Sequence, residues 1–470
     1  MPRARDDTAG ERLGLVIAWS QPEPGRVGEV ALLPAGGARL LGRGEPSASD
    51  PLPRLRFTAR RPDRLGGEGP ARSITGSGVS REQATLSTSA GRVEVERRGR
   101  CPMRLNGELT TRGVLRPGDT LTFEGELVLL CINTRATMAE LAEYPAQAQF
   151  PFGGPDRHGI VGESAEAWAL RDRLAFLAGR EGHVLLLGES GSGKELAAQA
   201  LHALSRRAGR RLLARNAATL PPGLIDAELF GNARNYPNPG MVERTGLIGE
   251  ADGSTLFLDE LGELASDLQS HLLRVLDSGE YQRLGDPTMR RSDVRVLGAT
   301  NRPAHQLKHD LFARLELRVT TPPLGARRED IPLIARALLR RAAARDAKLG
   351  ERFFEGWDGA AGEPRLDPRL VERLVRHSFT HHARELAALV WSAMAGSRAH
   401  FIALTPEVDA QLAGHHAPPP PSARAHSPDA IQACLDRHRG NQERASRELG
   451  LSSRDALYRL IKKHGLVIRR

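Results

Sequence analysis

The stretch Gly188-Glu189-Ser190-Gly191-Ser192-Gly193-Lys194 sits between an apolar run, VLLLG, and a helical one, ELAAQALHAL. Closely spaced glycines let backbone N–H groups curl around phosphate oxygens, a helix N-terminus adds positive potential, and a lysine there reaches the outer phosphates. The plainer alternative is a glycine-rich turn between a strand and a helix. Against it, Lys194 is the sole lysine before Lys308 in a chain whose 67 basic residues are nearly all arginine. Glu195 follows where the general motif has Ser or Thr, so the usual magnesium-binding hydroxyl is missing. Downstream, the apolar run TLFL ends in Asp259-Glu260. An Asp at a strand end can hold hydrated Mg²⁺, and an adjacent Glu can polarise a water for attack on a γ-phosphate. The alternative for such a pair is helix-start charge. Together the two stretches imply ATP and Mg²⁺.

Positioning these groups requires a parallel α/β sheet. The strand-like runs VLLLG, LLARN, TLFLD and VRVLGAT alternate with helical segments over residues 159–329. Residues 330–412 carry apolar residues at helical spacing and read as an all-helical lid. Before them, residues 13–135 read as short strands and turns of an antiparallel β-sandwich, with 136–158 as a linker. A polyproline linker spans 413–426, and a basic helical tail spans 427–470. The fold class is therefore multidomain. Net charge is +10, which favours a polyanionic partner or merely reflects an arginine-rich composition. No apolar run approaches membrane-spanning length, and the three scattered cysteines fit a reduced, cytoplasmic protein without a metal cluster.

The motifs GESGSGKE, AELFG, ADGSTLFLDELGEL, LLRVLDSGEYQRLG, VRVLGATN, RREDIP and RELAALV resemble the AAA+ P-loop core of sigma-54-dependent transcriptional activators, the bacterial enhancer-binding proteins. Glu195 after the P-loop lysine is itself a feature of that family. The resemblance implies a hexameric ring ATPase that remodels sigma-54 RNA polymerase. It assigns Gly188, Glu189, Ser190, Gly191, Ser192, Gly193, Lys194, Glu195 and Arg384 to ATP, with Arg384 as the lid's sensor 2. It assigns Asp259 to the metal, Glu260 to catalysis, Asn301 to sensor 1, and Asn216 to the switch that holds Glu260. Arg314 matches the second of two arginines that reach the neighbouring subunit's nucleotide; Lys308 stands where the first belongs.

The tail NQERASRELGLSSRDALYRLIKKHGL is similar to the Fis-type helix-turn-helix of the same activators, a dimeric binder of double-stranded DNA. Ser453, Arg454, Tyr458, Arg459, Lys462 and Lys463 would line the DNA-facing side of its second helix. On pattern alone, a solvated helical hairpin is the alternative. The front end, with LLGRG and GVSREQATL, resembles a forkhead-associated (FHA) domain, which binds a phosphothreonine-containing protein. Arg43, Ser80 and Arg81 would hold the phosphate. Gln83 replaces that family's histidine, and a non-binding sandwich is the alternative.

Counted from ELFG to ADG, NYPNPG occupies the place of the activators' sigma-contacting GAFTGA loop. Tyr236, Pro237, Asn238 and Pro239 therefore make a stiffer loop without the threonine. The expected function is an ATP-hydrolysing, DNA-binding regulator controlled by phosphothreonine. The alternatives are a DNA-bound regulator that uses ATP without remodelling sigma-54 polymerase, and a phosphopeptide scaffold with residual ATPase parts.

Overall fold

The computed structural model describes residues 10–89, 91–146, 148–219, 224–302, 306–359, 361–413 and 428–438, with Gln442, Ala445, Leu457 and Ile461. Runs that are apolar throughout, not alternating, open and close the sandwich, and they mark strands buried on both faces. In chain order, β1 (Glu11–Ser20), β2 (Val30–Leu32), β3 (Gly37–Leu41), β4 (Ala84–Ser89), β5 (Arg92–Arg97), β6 (Met103–Leu105), β7 (Glu108–Leu109), β8 (Arg112–Leu115), β9 (Thr120–Phe123) and β10 (Leu127–Arg135) form two sheets. Their orders are β2-β1-β10-β9-β6-β7 and β3-β4-β5-β8. Leu15, Ile17, Leu129 and Cys131 enter the core between the sheets, whereas Val16, Ala18, Leu130 and Ile132 belong to a second core made mostly of lid helices.

The expected α/β layer follows: α1 (Ala165–Ala178), β11 (Val184–Leu187), α2 (Lys194–Ala203), β12 (Leu212–Asn216), α3 (Ile225–Phe230), α4 (Leu247–Glu250), β13 (Thr255–Asp259), α5 (Ser266–Ser278), β14 (Glu280–Tyr281), β15 (Arg290–Arg291), β16 (Arg295–Thr300), α6 (His309–Arg314) and β17 (Leu317–Thr320). β12-β13-β16-β11-β17 is a parallel sheet, so β11, β13 and β16 end on one edge, where ligands of such sheets bind. Ser164 caps α1 by accepting the Ala167 N–H at 3.1 Å.

The lid comprises α7 (Ile331–Arg345), α8 (Ala347–Phe353), β18 (Phe354–Glu355), β19 (Glu363–Pro364), α9 (Pro368–Arg376), α10 (His382–Gly396) and α11 (Pro406–Ala413). It is not all-helical: β18 and β19 pair antiparallel, because the loop between them carries glycine at Gly356, Gly359 and Gly362, all with positive φ. α9 lies across β1 and β10, and its buried Glu372 accepts the Thr120 and Thr122 hydroxyls at 3.2 and 3.1 Å. The segment expected to be a plain linker also packs, with Leu141 and Tyr144 buried against Trp168.

The tail forms a separate unit. In it α12 (Pro428–Arg437) starts at the expected proline, and Ile431, Cys434 and Leu435 pack with Ala445, Leu457 and Ile461. Ser453, Arg454, Tyr458, Arg459, Lys462 and Lys463 lie outside the described residues. Among the described residues no helix is long and apolar enough to cross a membrane, and no cluster of metal-ligating side chains occurs.

Candidate functional site

The loop between β11 and α2 is shaped by glycines in conformations other residues avoid. Gly188, Gly191 and Gly193 have φ of 153°, 81° and 103°. A Cβ on Gly191 would lie 2.2 Å from the His381 carbonyl oxygen, so the loop and the lid touch backbone to backbone there. Lys194 is buried at the start of α2, and its Nζ donates to the carbonyls of Gly188 (2.9 Å) and Glu189 (3.2 Å). The Ser192 and Thr321 hydroxyls meet at 2.6 Å behind the loop. Glu195 is exposed.

The lid closes over this loop from α10. The Ala383 N–H donates to the Gly191 carbonyl at 3.1 Å, and Arg384 Nη1 donates to Ser190 Oγ at 2.9 Å. His382, with φ of 47°, turns its buried ring to Glu189 at 3.2 Å. Burial holds that imidazole below its ordinary range. Burial also works to raise the Glu385 carboxyl, but donors from His381, His377 and Thr380 outweigh it and hold it at about 2. Glu385 thereby ties the turn at Thr380 and His381 to the helix that carries Arg384.

Asp259 and Glu260 end β13, both half-buried, with the Glu260 N–H on Asp259 Oδ1 at 3.0 Å and Glu260 itself at φ 53°. Asn301 follows β16, one strand across. Asn216 pairs with Asp259 in the sheet register. Its Oδ1 accepts the Ala218 N–H at 2.8 Å and caps the following turn, which leaves its amide N–H groups as donors on the side of Glu260's strand. Arg314 lies away from the P-loop at the end of α6, where Asp277 of α5 accepts from its guanidinium and raises its pKa. Lys308 donates to Ser270 of α5 at 2.7 Å.

A cavity of about 510 Å³ opens beside the P-loop, between Gly153–Val161, Leu196 and α7, and it can take a flat apolar ring system. Two arginines that sequence reasoning missed brace its wall. Arg171 of α1 is fully buried and donates to Asp156 (2.9 Å), the Gly162 carbonyl (2.7 Å) and the Ile160 carbonyl (2.8 Å). Arg61 of the sandwich is the other. Neither stands in a local motif that could have revealed it.

Two family models match: the sigma-54 interaction domain over residues 160–320 and the bacterial regulatory protein, Fis family, over residues 429–464. The transcriptional regulatory protein ZraR of Klebsiella oxytoca is 34% identical over 346 residues, covering 70% of this chain and 72% of that protein. This chain belongs to the sigma-54-dependent transcriptional regulators. The anaerobic nitric oxide reductase transcription regulator NorR of Aeromonas hydrophila is 34% identical over 382 residues, covering 74% of this chain and 72% of that one. A crystal structure of NtrX from Brucella abortus in complex with ADP aligns at 28% identity over 66% of this chain and 70% of that chain, with a TM-score of 0.46. As a sigma-54-dependent regulator, the chain combines an AAA+ activation domain with a helix-turn-helix DNA-binding domain.

Two further segments singled out by the sequence lie outside this cavity. Around the NYPNPG segment, Asn232 is buried and donates to the carbonyls of Ala233 and Val242 at 3.0 Å, and the Gly240 N–H reaches Asn235 Oδ1 at 3.0 Å. Tyr236 packs so closely over the β14–β15 loop that a Cβ on Gly285 would lie 2.4 Å from its ring. At the front end, the Arg43 N–H donates to the Ser80 carbonyl at 3.1 Å, and a Cβ on Gly42 would lie 1.8 Å from the Arg81 carbonyl oxygen. Arg43, Ser80 and Arg81 therefore share one loop cluster. Arg54 ties it together, donating to the Arg81 carbonyl at 2.7 Å and to Asp50. Gln83 is buried beneath: its Oε1 accepts the Ser80 N–H (3.1 Å) and its Nε2 donates to the Cys101 carbonyl (2.9 Å).

Proposed function

We propose that this regulator hydrolyses ATP in an oligomeric ring, senses a phosphothreonine-containing protein through its FHA-like sandwich, and acts on DNA-bound transcription complexes. The observation that carries the reading is that Lys194, Asp259, Glu260 and Asn301 end or follow neighbouring strands of one sheet, with Arg384 reaching the P-loop from the lid, beside a ring-sized cavity. Lys194 and Arg384 hold phosphate oxygens. Glu260 takes a proton from the attacking water, and the β–γ bridging oxygen leaves with ADP. Asp259 fits Mg²⁺, which needs only one or two carboxylates beside the phosphates and which, when bound, spreads their charge. Arg314 is exposed at an outer corner, as a residue serving a neighbouring subunit's nucleotide has to be; there Asp277 competes for it.

ATPase assays test this. Lys194→Ala and Glu260→Gln are expected to abolish turnover, and a wild-type protein without turnover, even concentrated with DNA, refutes the enzyme. A specific observation favours a second reading of the output: Tyr236 wedged on Gly285 and the internal bonds of Asn232 make the loop a fixed element, suited to a regulator that uses ATP without remodelling sigma-54 polymerase. Open complexes formed by purified sigma-54 polymerase, this protein and ATP would exclude that second reading.

A further inference from the structure

The cavity wall at Gly153–Val161 is braced from two sides. Arg171 braces it from α1, within the ATPase core. On the other side stands Arg61, from the N-terminal sandwich. Its Nη1 donates to the Phe150 carbonyl (2.9 Å), and its Nη2 to the Pro151 carbonyl (3.1 Å) and Glu163 Oε1 (2.6 Å). Its guanidinium also lies 4.6 Å from the Phe150 ring centroid, and Phe150 stacks on Trp168, which faces Arg171 at 4.5 Å. Glu163 is the hinge of this arrangement. The same buried carboxylate that Arg61 grips also accepts the Gly153 N–H at 2.7 Å and the Trp168 Nε1–H at 3.1 Å. Gly153 then passes directly into the cavity wall, with Gly154 and Pro155. Gly153 has no slack, since a Cβ there would meet Arg336 at 2.6 Å and Leu333 at 2.7 Å, both on α7 across the cavity.

We propose that Arg61 is a positioning residue for nucleotide: through Glu163 and Gly153, the N-terminal sandwich sets the wall against which the base of ATP is held. Without Arg61, Glu163 keeps two neutral donors for a buried charge and turns toward solvent, releasing Gly153. The chain that ends in this clamp starts at the phosphate-side loops. Arg54 donates to the carbonyls of Arg43 and Arg81, and residues 54–60 are pinned between the two ends by paired bridges at Thr58 and Phe57. Arg54, which holds the Arg43 and Arg81 carbonyls, is thus seven residues along the chain from the residue that shapes the nucleotide wall.

The inference rests on the proposal that this cavity takes ATP, and the test separates the two. Full-length wild type, Arg61→Ala, Arg61→Lys and Arg112→Ala are titrated with a fluorescent ATP analogue, and their ATPase KM and kcat are measured. Arg61→Ala is expected to raise Kd and KM roughly tenfold, the scale of one charge-assisted hydrogen bond, with kcat little changed. Arg61→Lys keeps the charge opposite Glu163 without the fork, and falls between. Arg112→Ala removes an exposed pair with Glu96 on the same sandwich and binds as wild type does. Unchanged Kd in Arg61→Ala, a fall in kcat at constant KM, or equal weakening in Arg112→Ala overturns the role of Arg61 while leaving the ATPase standing. A wild type that does not bind the analogue overturns both.

Discussion

Replacing Arg171 by Met tests how the cavity wall is held. Arg171 and Asp156 are 0% and 1% exposed at their side chains, so only each other, nearby backbone and, for Arg171, the Phe150 and Trp168 rings offset their charge. Methionine fills the space but strands the second oxygen of Asp156 and the Gly162 carbonyl; Asp156 Oδ1 keeps the N–H groups of His158 and Ile160 at 2.9 and 3.0 Å. Breaking a buried pair from one side costs about 3–5 kcal/mol. For a domain of this size that lowers Tm by roughly 6–20 °C. The double variant Arg171→Met/Asp156→Asn removes the stranded charge while keeping the acceptor for the two N–H groups, and should recover about half of the loss. Thermal unfolding followed by circular dichroism measures all three proteins. A single variant within about 1 kcal/mol of wild type, or a double variant no more stable than the single, refutes the account of the wall.

Other perturbations follow from the same geometry. Gln83→Ala should weaken phosphothreonine-peptide binding about tenfold by calorimetry, whereas Gln83→His should retain it, since an imidazole can also accept from Ser80 and donate to Cys101. Gly285→Ala should dislodge Tyr236, with limited proteolysis then cutting near residues 234–241 while ATP turnover is unchanged. Burial holds His158, His183 and His382 below their ordinary value of 6.5, so the unfolded chain protonates first as pH falls and the folded state loses stability below that value. Tm should therefore fall between about pH 7 and pH 5.5, and His382→Asn, which tolerates the left-handed backbone, should flatten that decline.

The phosphate chemistry was legible because it needs particular residues at consecutive positions. A loop that wraps phosphate must be Gly188-to-Lys194, and an acid pair must follow an apolar strand. That the sheet is parallel followed from the alternation of runs and helices; its strand order did not. The wall was not legible, because Arg61 and Glu163 are 102 residues apart and any of dozens of arginines could have made the contact. The turn that Asn216 caps through Ala218 was not legible either, since a short amide at a strand end fits several local partners. The doubly buried β1 and β10 left a trace in LGLVIAW and LVLLCI, whose lack of alternation points to cover on both faces.

That cover carries an evolutionary consequence. A front-end domain can be exchanged between chains only where its boundary buries little. Here the boundary is not free for such exchange, because Val16, Ala18, Val128 and Leu130 of the sandwich complete the same core as Leu370, Val371 and Leu374 of the lid. A recombination breakpoint in residues 136–158 would leave apolar surface bare on both products. The sandwich and the outer side of α9 are expected to have been inherited together, so that residues on either side of Glu372 change in concert across relatives that share this front end.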